Sequence, residues 1–189
     1  MYGKGNVRRV GNQKNFWGRK AKKISSELKE FVYEQYFSMN SLFVYCDASM
    51  HKKGIQMATA CSFVKDGSVI VESSWIYPPA ACYRKNVYGE LQAILYALLH
   101  VNKHMGNPCD NITIYSDVNN IKGILEGTTT FKKNHALQQI QKDLQHTYKT
   151  ISASHPQINL SIEYLTVDKK MYNPFAKSAH NAAKKLIQF

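Results

Sequence analysis

Three acidic residues stand where an apolar segment ends or faces a predicted core. Asp47 follows the apolar run "LFVYC", and Asp117 follows "ITIYS". Glu90 is spaced i, i+4, i+8 with Ile94 and Leu98, so these three side chains share one face of a helix. An inward-facing carboxylate is costly unless it is paired or binds a metal. Taken singly, each acid is also explained as a turn, cap or helix N-terminal residue.

Acids that lie together repel one another and raise one another's pKa values. Divalent cations relieve this repulsion, and the hard ions Mg²⁺ and Mn²⁺ prefer oxygen ligands. Two such ions about 4 Å apart form the kind of site that cleaves phosphodiesters. The three acids therefore predict a centre that binds Mg²⁺ or Mn²⁺, two ions per site, provided that the fold brings them together.

The elements that must position these acids follow from the alternation of apolar segments. Strands and helices are predicted in the order βββαβααβα, and Asp66-Gly67 indicates a hairpin between the second and third strands. This order predicts an α/β fold with a mixed five-stranded sheet, three antiparallel strands and then two parallel ones, and helices on both faces. Asp47 and Asp117 would then stand side by side at the carboxyl ends of neighbouring parallel strands. The predicted strands are 41–49, 55–67, 68–78, 111–117 and 158–168, and the predicted helices are 86–105, 118–127, 134–151 and 173–189.

The charge of the chain indicates its partner. The formal net charge is +12, which favours a polyanion, above all nucleic acid. Residues 1–23 hold eight Lys or Arg and no acid, interleaved with aromatic residues, and predict a flexible arm that contacts nucleic acid. An inert solubilising tail and attraction to anionic lipid are the alternatives. We divide the chain into a basic extension, residues 1–40, with a short helix at 24–37, and a core domain, residues 41–189.

Composition also bears on location. The sequence has no run of about 18 apolar residues, so no membrane span is expected. The N-terminal charges are not followed by an apolar segment, so a secretory signal is not expected. The four cysteines lie far apart without a C-x-x-C pair, which favours free thiols in a reducing compartment. We therefore expect a cytoplasmic protein without membrane association, and a monomer.

Three stretches together resemble the ribonuclease H family. "YCDAS" is similar to the first-strand D-G-S motif of that family, with Ala48 in place of the usual glycine. "NVYGELQAILYAL" resembles its helix with the pattern E-L-x-A-x-x-x-A-L, and "IYSDVNNIKGI" resembles its third motif. The resemblance covers about residues 42–189, in motif order and strand order. It implies an RNase H-like fold and a metal-dependent endoribonuclease that hydrolyses the RNA strand of RNA/DNA hybrids by a two-metal-ion mechanism.

The resemblance also implies roles for particular residues. Asp47, Glu90 and Asp117 match the catalytic, metal-binding carboxylates. Asn86 matches an asparagine that contacts the RNA strand, although the second of the family's two adjacent asparagines is a valine here. Ser49, in the first motif, is expected to bind substrate with Asn86.

Histidine occupies the fourth acidic position of the family. The stretch "AHNAAKKL" aligns His180 with the expected aspartate of the last helix, and "NP" matches the loop before that helix. Neutral imidazole binds Mn²⁺ and, more weakly, Mg²⁺, so His180 is expected to be a catalytic and metal-binding residue. Asp168, predicted at the end of the fifth strand, is the alternative ligand. The same loop lacks a family histidine and carries Lys169, Lys170 and Tyr172 instead.

Two other functions fit parts of this pattern. A nuclease of the same fold that acts on structured DNA would carry large insertions around the core, and this chain has none beyond its arm. A non-catalytic nucleic-acid-binding module is favoured only by His180, whereas the three intact carboxylates argue against it.

Overall fold

The computed structural model describes residues 16–52 and 54–188. The order of elements predicted for the core is found, with one additional short helix before the last one. Residues 1–15 of the predicted arm lie outside the described residues. The strands are β1 (Ser41–Met50), β2 (Met57–Lys65), β3 (Ser68–Ile76), β4 (Asn111–Ser116) and β5 (Asn159–Tyr164). The helices are α1 (Ser26–Phe37), α2 (Asn86–His104), α3 (Ile121–Glu126), α4 (His135–Ser154), α5 (Val167–Met171) and α6 (Pro174–Leu186), with 3-10 helices at Gly18–Lys23 and Ala80–Cys82.

The five strands form one sheet in the order β3-β2-β1-β4-β5. β1, β2 and β3 pair antiparallel, and β4 pairs parallel with both β1 and β5, so the predicted mixed sheet is confirmed. The ladder between β1 and β4 ends at the pair Tyr45 and Tyr115. Asp47 and Asp117 therefore both lie just beyond the last paired position, at the same edge of the sheet.

The β2–β3 hairpin turns at the two residues that the sequence indicates. Asp66 and Gly67 have φ values of 45° and 70°, the left-handed conformations that a tight two-residue hairpin turn requires. Glycine adopts this conformation without steric strain, and aspartate tolerates it better than most residues. The turn fixes the register between β2 and β3.

Helices cover both faces of the sheet, as predicted. On one face, Leu42 and Val44 of β1 pack with buried residues of α2 and α4, including Leu91 and Ile94. On the other face, Tyr45 packs with α1 and α6. This alternation follows from the two-residue period of a strand, which sends successive side chains to opposite faces. None of the described helices is long and apolar enough to cross a membrane.

The short helix of the predicted extension packs on the sheet. Ser25 caps α1, because its hydroxyl accepts a hydrogen bond from the Leu28 backbone N–H at 3.2 Å. Leu28 and Val32 are buried in the same apolar cluster as Tyr45 and Phe175. Residues 24–37 thus share a core with β1 and α6.

A buried polar network joins α1, the sheet and the start of α6. The Tyr45 hydroxyl donates to the Gln35 side chain, whose amide N–H donates to the Tyr115 hydroxyl at 3.2 Å. The Asn173 amide N–H donates to the Tyr45 hydroxyl at 3.0 Å, and its oxygen caps α6 by accepting from the Phe175 backbone N–H at 2.9 Å. The network fixes α6 against β1, two residues before Asp47.

The predicted fifth strand is too long at its C-terminal end. β5 ends at Tyr164, although the Leu165 backbone N–H still donates to the Ser116 carbonyl at 2.8 Å. Leu165 is buried, but Val167 is 66% exposed, so the apolar alternation does not continue a buried strand face. The chain turns into α5 instead, and the prediction that Asp168 ends a strand is wrong.

Candidate metal centre

Asp47, Glu90 and Asp117 converge at the carboxyl ends of β1 and β4. Asp47 is contributed by β1, Asp117 directly follows β4, and Glu90 is contributed by the N-terminal part of α2. One carboxylate oxygen from each of the three residues lies within 4.8 Å of the other two. The predicted grouping of the acids is therefore found, although the three residues are far apart in the sequence.

The site holds Asp47 and Glu90 in conditions that oppose their ionisation. Asp47 is 4% exposed, and burial raises the pKa of its carboxyl, an effect that the charge of Lys170 and the contact with His180 oppose. Burial and the charges of Asp47 and Asp117 raise the pKa of Glu90 to about 8, although the Ala48 backbone N–H donates to it. The neighbouring carboxylates therefore disfavour the negative charge of Glu90 and of Asp47.

The residues present fit a hard divalent cation. All three ligand groups offer carboxylate oxygens, which Mg²⁺ and Mn²⁺ prefer. Glu90 Oε2 is buried and has no hydrogen-bond partner within the described chain, and such an atom is costly unless something binds it. A cation would bind this oxygen and offset the repulsion that raises the pKa of Glu90.

Lys170 contacts the carboxylate cluster, although the sequence assigned it no role there. It extends from α5, and its Nζ donates to Asp117 Oδ2 and lies 3.6 Å from Asp47 Oδ1. Burial lowers the pKa of Lys170, but the hydrogen bond with Asp117 and the charges of the three carboxylates outweigh this and raise it. Lys170 therefore supplies part of the positive charge that the acids require. The available signal was that Lys170 stands in the stretch where the ribonuclease H family, which this sequence resembles, has a histidine.

His180 contacts the carboxylate cluster through Asp47. Its Nδ1 lies 3.1 Å from Asp47 Oδ2, and its side chain is half-exposed. His180 is not within the group formed by the three carboxylates among the described residues. The structure thus brings His180 to one predicted ligand rather than to the centre of the cluster. The cap that Asn173 provides positions α6 for this contact.

Asp168 does not join the cluster. It lies in the first turn of α5, is exposed, and its carboxylate accepts a hydrogen bond from the Thr166 side chain, which lowers its pKa. The alternative in which Asp168 completes the carboxylate set depended on a longer β5. Because α5 begins before Asp168, the Asp168 carboxylate does not reach the cluster formed by the other three acids.

The two residues expected to bind substrate line one cleft with Glu90. Ser49 and Asn86 border this cleft, which has a volume of about 270 Å³ and is also lined by Gly89 and Met57. Asn86 is exposed at the start of α2, and Ser49 is partly buried in β1. Both side chains are therefore placed to contact a strand that reaches the carboxylates.

Ala48, which replaces the glycine of the D-G-S motif, makes a close packing contact with α2. A Cβ atom added to Gly89 would lie 3.0 Å from the Ala48 Cβ and 3.3 Å from the Met57 Sδ. The Ala48 methyl group therefore packs directly against the backbone of α2 at Gly89.

The chain is similar to solved RNase H1 structures over most of its length. RNase H1 from the halophilic archaeon Halobacterium salinarum NRC-1 aligns with a TM-score of 0.56 and 16% identity, over 77% of this chain and 98% of that one. An RNase H1 isolated from compost by a metagenomic approach aligns with a TM-score of 0.56 and 16% identity, over 79% and 99%. The structure of that protein in complex with an RNA/DNA hybrid gives a TM-score of 0.50 and 14% identity, over 77% and 99%.

No family model and no curated protein sequence matches the chain. At identities this low the structural likeness shows the fold alone. The chain has the RNase H-like fold, as the three sequence motifs predict, and carries an acidic cluster at the carboxyl ends of its two central parallel strands.

Proposed function

We propose that the protein is a metal-dependent endoribonuclease that hydrolyses the RNA strand of RNA/DNA hybrids. The observation that carries this proposal is the convergence of Asp47, Glu90 and Asp117, with one oxygen of each within 4.8 Å of the others, on an RNase H-like sheet. A similar structure is of an RNase H1 in complex with an RNA/DNA hybrid. The proposed products carry 3′-hydroxyl and 5′-phosphate ends.

Asp47, Glu90 and Asp117 would hold two Mg²⁺ or Mn²⁺ ions, with His180 as a further ligand or as a partner of Asp47. Bound divalent cations supply the charge that activates water and stabilises the phosphate as its charge develops. The carboxylates fix where that charge lies, and the burial of Asp47 excludes bulk water from one side of it. Lys170, whose ammonium group contacts Asp117, adds a positive charge beside the phosphate of a bound strand.

The cleft beside Glu90 gives a physical basis for selecting RNA. A ribose differs from a deoxyribose by its 2′-hydroxyl, which both donates and accepts hydrogen bonds. The Ser49 hydroxyl and the Asn86 amide can do the same, and both line the cleft next to Glu90. We propose that they contact the RNA strand there.

The charge and the cysteines are consistent with this function. A net charge of +12 suits a substrate with two phosphate backbones. The four cysteines are free thiols, as expected in the reducing cytoplasm, which we propose as the location of a monomeric enzyme.

A comparison of substrates tests the proposal. Wild-type protein is incubated with Mg²⁺ or Mn²⁺ and an end-labelled RNA/DNA hybrid, duplex DNA or duplex RNA of one sequence. The expected result is cleavage of the RNA strand of the hybrid alone, giving fragments that carry 5′-phosphates. Cleavage of duplex DNA in preference to the hybrid, or tight binding of the hybrid without any cleavage in either metal, would contradict the proposal.

A further inference from the structure

A second concave surface adjoins the metal centre, and we name it the arm groove. It has a volume of about 550 Å³ and lies between residues 16–20 and the region of α5 and α6. Its apolar part is formed by Trp17, Met171 and Tyr172, and its charged part by Lys20, Lys170 and Lys177. No aspartate or glutamate is among the described residues that line it.

Residues of the extension are fixed at this position by specific contacts. The Trp17 indole N–H donates to the Tyr172 carbonyl at 2.7 Å, which ties the extension to the turn between α5 and α6. The Phe16 ring packs edge-on against Phe175 at 5.5 Å and against Tyr36 at 5.0 Å between centroids. The arm groove is therefore held by the core of the domain on both sides.

The arm groove is continuous with the metal centre. Lys170 and His180 line it, and both also contact Asp47. A strand whose phosphate reaches the carboxylates therefore has its neighbouring nucleotide within reach of the groove. Met171, which lines the groove, is 62% exposed, so its side chain is accessible to a bound base.

We infer that the arm groove binds one unpaired nucleotide of the strand that reaches the metal centre. The base would pack against Trp17 and Met171, since aromatic side chains stack on any base, and the phosphate would pair with Lys20 and Lys177. A base within a duplex is already stacked and paired, so only an unpaired or displaced nucleotide can enter. The volume lies within the range of sites for small organic ligands. This inference rests on the proposed function, because it assigns a substrate subsite.

The inference predicts a preference among hybrids. A hybrid with a short single-stranded extension should bind more tightly than the same hybrid whose extension is abasic, although the two carry equal phosphate charge. Stacking of one base corresponds to a factor on the order of ten in affinity. The ratio of the two dissociation constants therefore isolates base binding from electrostatic attraction.

The test uses the full chain with Asp47→Asn, so that the hybrids stay intact. The dissociation constants are measured by fluorescence polarisation, and Lys20→Glu is compared with Lys22→Glu. Both lysines are exposed on the same 3-10 helix, but only Lys20 lines the groove. Lys20→Glu places a negative charge where the phosphate would bind, so the nucleotide should leave the groove and the ratio should fall to about one. Lys22→Glu should weaken both hybrids and leave the ratio near that of the Asp47→Asn parent.

A second pair of variants probes the apolar part. Met171→Glu places a charge in the groove. Met39→Glu is the control, because Met39 is 63% exposed, compared with 62% for Met171, and precedes β1 at the opposite end of that strand from Asp47. Both substitutions are at exposed positions, so folding should be retained, and circular dichroism checks this. Met171→Glu should abolish the base preference and Met39→Glu should not.

The results separate this inference from the proposed function. The groove inference is overturned if the protein cleaves the hybrid but shows no base preference, or if groove and control variants change the ratio alike. The proposed nuclease activity would be unaffected by either result. If the preference is present and depends on Lys20 and Met171 but no metal supports cleavage, the groove is a nucleic-acid site and the proposed activity is wrong.

Discussion

Replacing Glu90 with glutamine should stabilise the metal-free protein, although the change removes a proposed metal ligand. Burial and the charges of Asp47 and Asp117 raise the pKa of Glu90 to about 8, from an ordinary value of 4.5. Over the pH range between these values the folded protein keeps a proton on Glu90 that the unfolded chain releases. The contribution of this residue to the free energy of unfolding is therefore fully present at acid pH and decreases as the pH rises toward 8.

The loss in free energy of unfolding depends on the width of the pH range over which only the folded protein holds the Glu90 proton. A proton held over one pH unit corresponds to about 1.4 kcal/mol of differential stability. Between pH 4.5 and about pH 7 the wild type should lose roughly 3 kcal/mol through Glu90 alone. Glutamine has a similar shape and does not titrate, so Glu90→Gln should lack this part of the pH dependence.

The assay is urea unfolding in EDTA at a series of pH values, followed by circular dichroism. Glu30→Gln, a change at an exposed residue of α1, serves as the control and should follow the wild type. Adding Mg²⁺ or Mn²⁺ near pH 7 should favour the wild type over Glu90→Gln, because a cation that binds only the folded protein stabilises it. Parallel pH profiles for the wild type and Glu90→Gln would refute the argument, since Glu90 would then not be held protonated.

Three further predictions concern the surroundings of the carboxylates. Gly89→Ala should lower the free energy of unfolding by about 1 kcal/mol, because its methyl group would meet Ala48 Cβ at 3.0 Å and Met57 Sδ at 3.3 Å. In an Ala48→Gly background only the Met57 contact remains, so the same change should cost less, and equal effects in both backgrounds would show that the Ala48 contact is unimportant. Lys170→Met should increase the affinity of the metal-free protein for Mn²⁺ in calorimetric titrations, because a positive charge leaves the carboxylates; weaker Mn²⁺ binding would show that Lys170 supports the site. His180→Ala should reduce kcat for the hybrid with little change in KM, whereas Asp168→Ala at an exposed position should change neither, and the reverse outcome would assign the fourth position to Asp168.

The sequence predicts the centre of the fold well because the signals there are local and regular. Asp47 and Asp117 each follow a run of apolar residues, and parallel pairing of β1 with β4 suffices to bring them together. Glu90 is predicted by helical spacing alone, since Ile94 and Leu98 on the same face are buried. These predictions need only the period of each element and the order of the strands.

The sequence does not predict features that depend on contacts between distant segments. Lys170 reaches the carboxylates because the chain turns into α5 after Leu165, and the apolar pattern of that stretch suggests a longer strand instead. Trp17 lies in a stretch whose composition is typical of disorder, yet its indole is bonded to the Tyr172 carbonyl, 155 positions away in the sequence. Such partners are visible only once the fold is known.

The most direct test of the central claim is the rate at which Asp47→Asn cleaves a labelled RNA/DNA hybrid in Mg²⁺ or Mn²⁺. The substitution removes the negative charge of a 4%-exposed, proposed metal ligand with almost no change in size. Asp66→Asn, at an exposed aspartate in the β2–β3 turn, is the matched control. We predict that Asp47→Asn binds the hybrid but cleaves it no faster than the buffer background, while Asp66→Asn retains the wild-type rate. Wild-type cleavage by folded Asp47→Asn would contradict the assignment of this cluster as the catalytic metal centre.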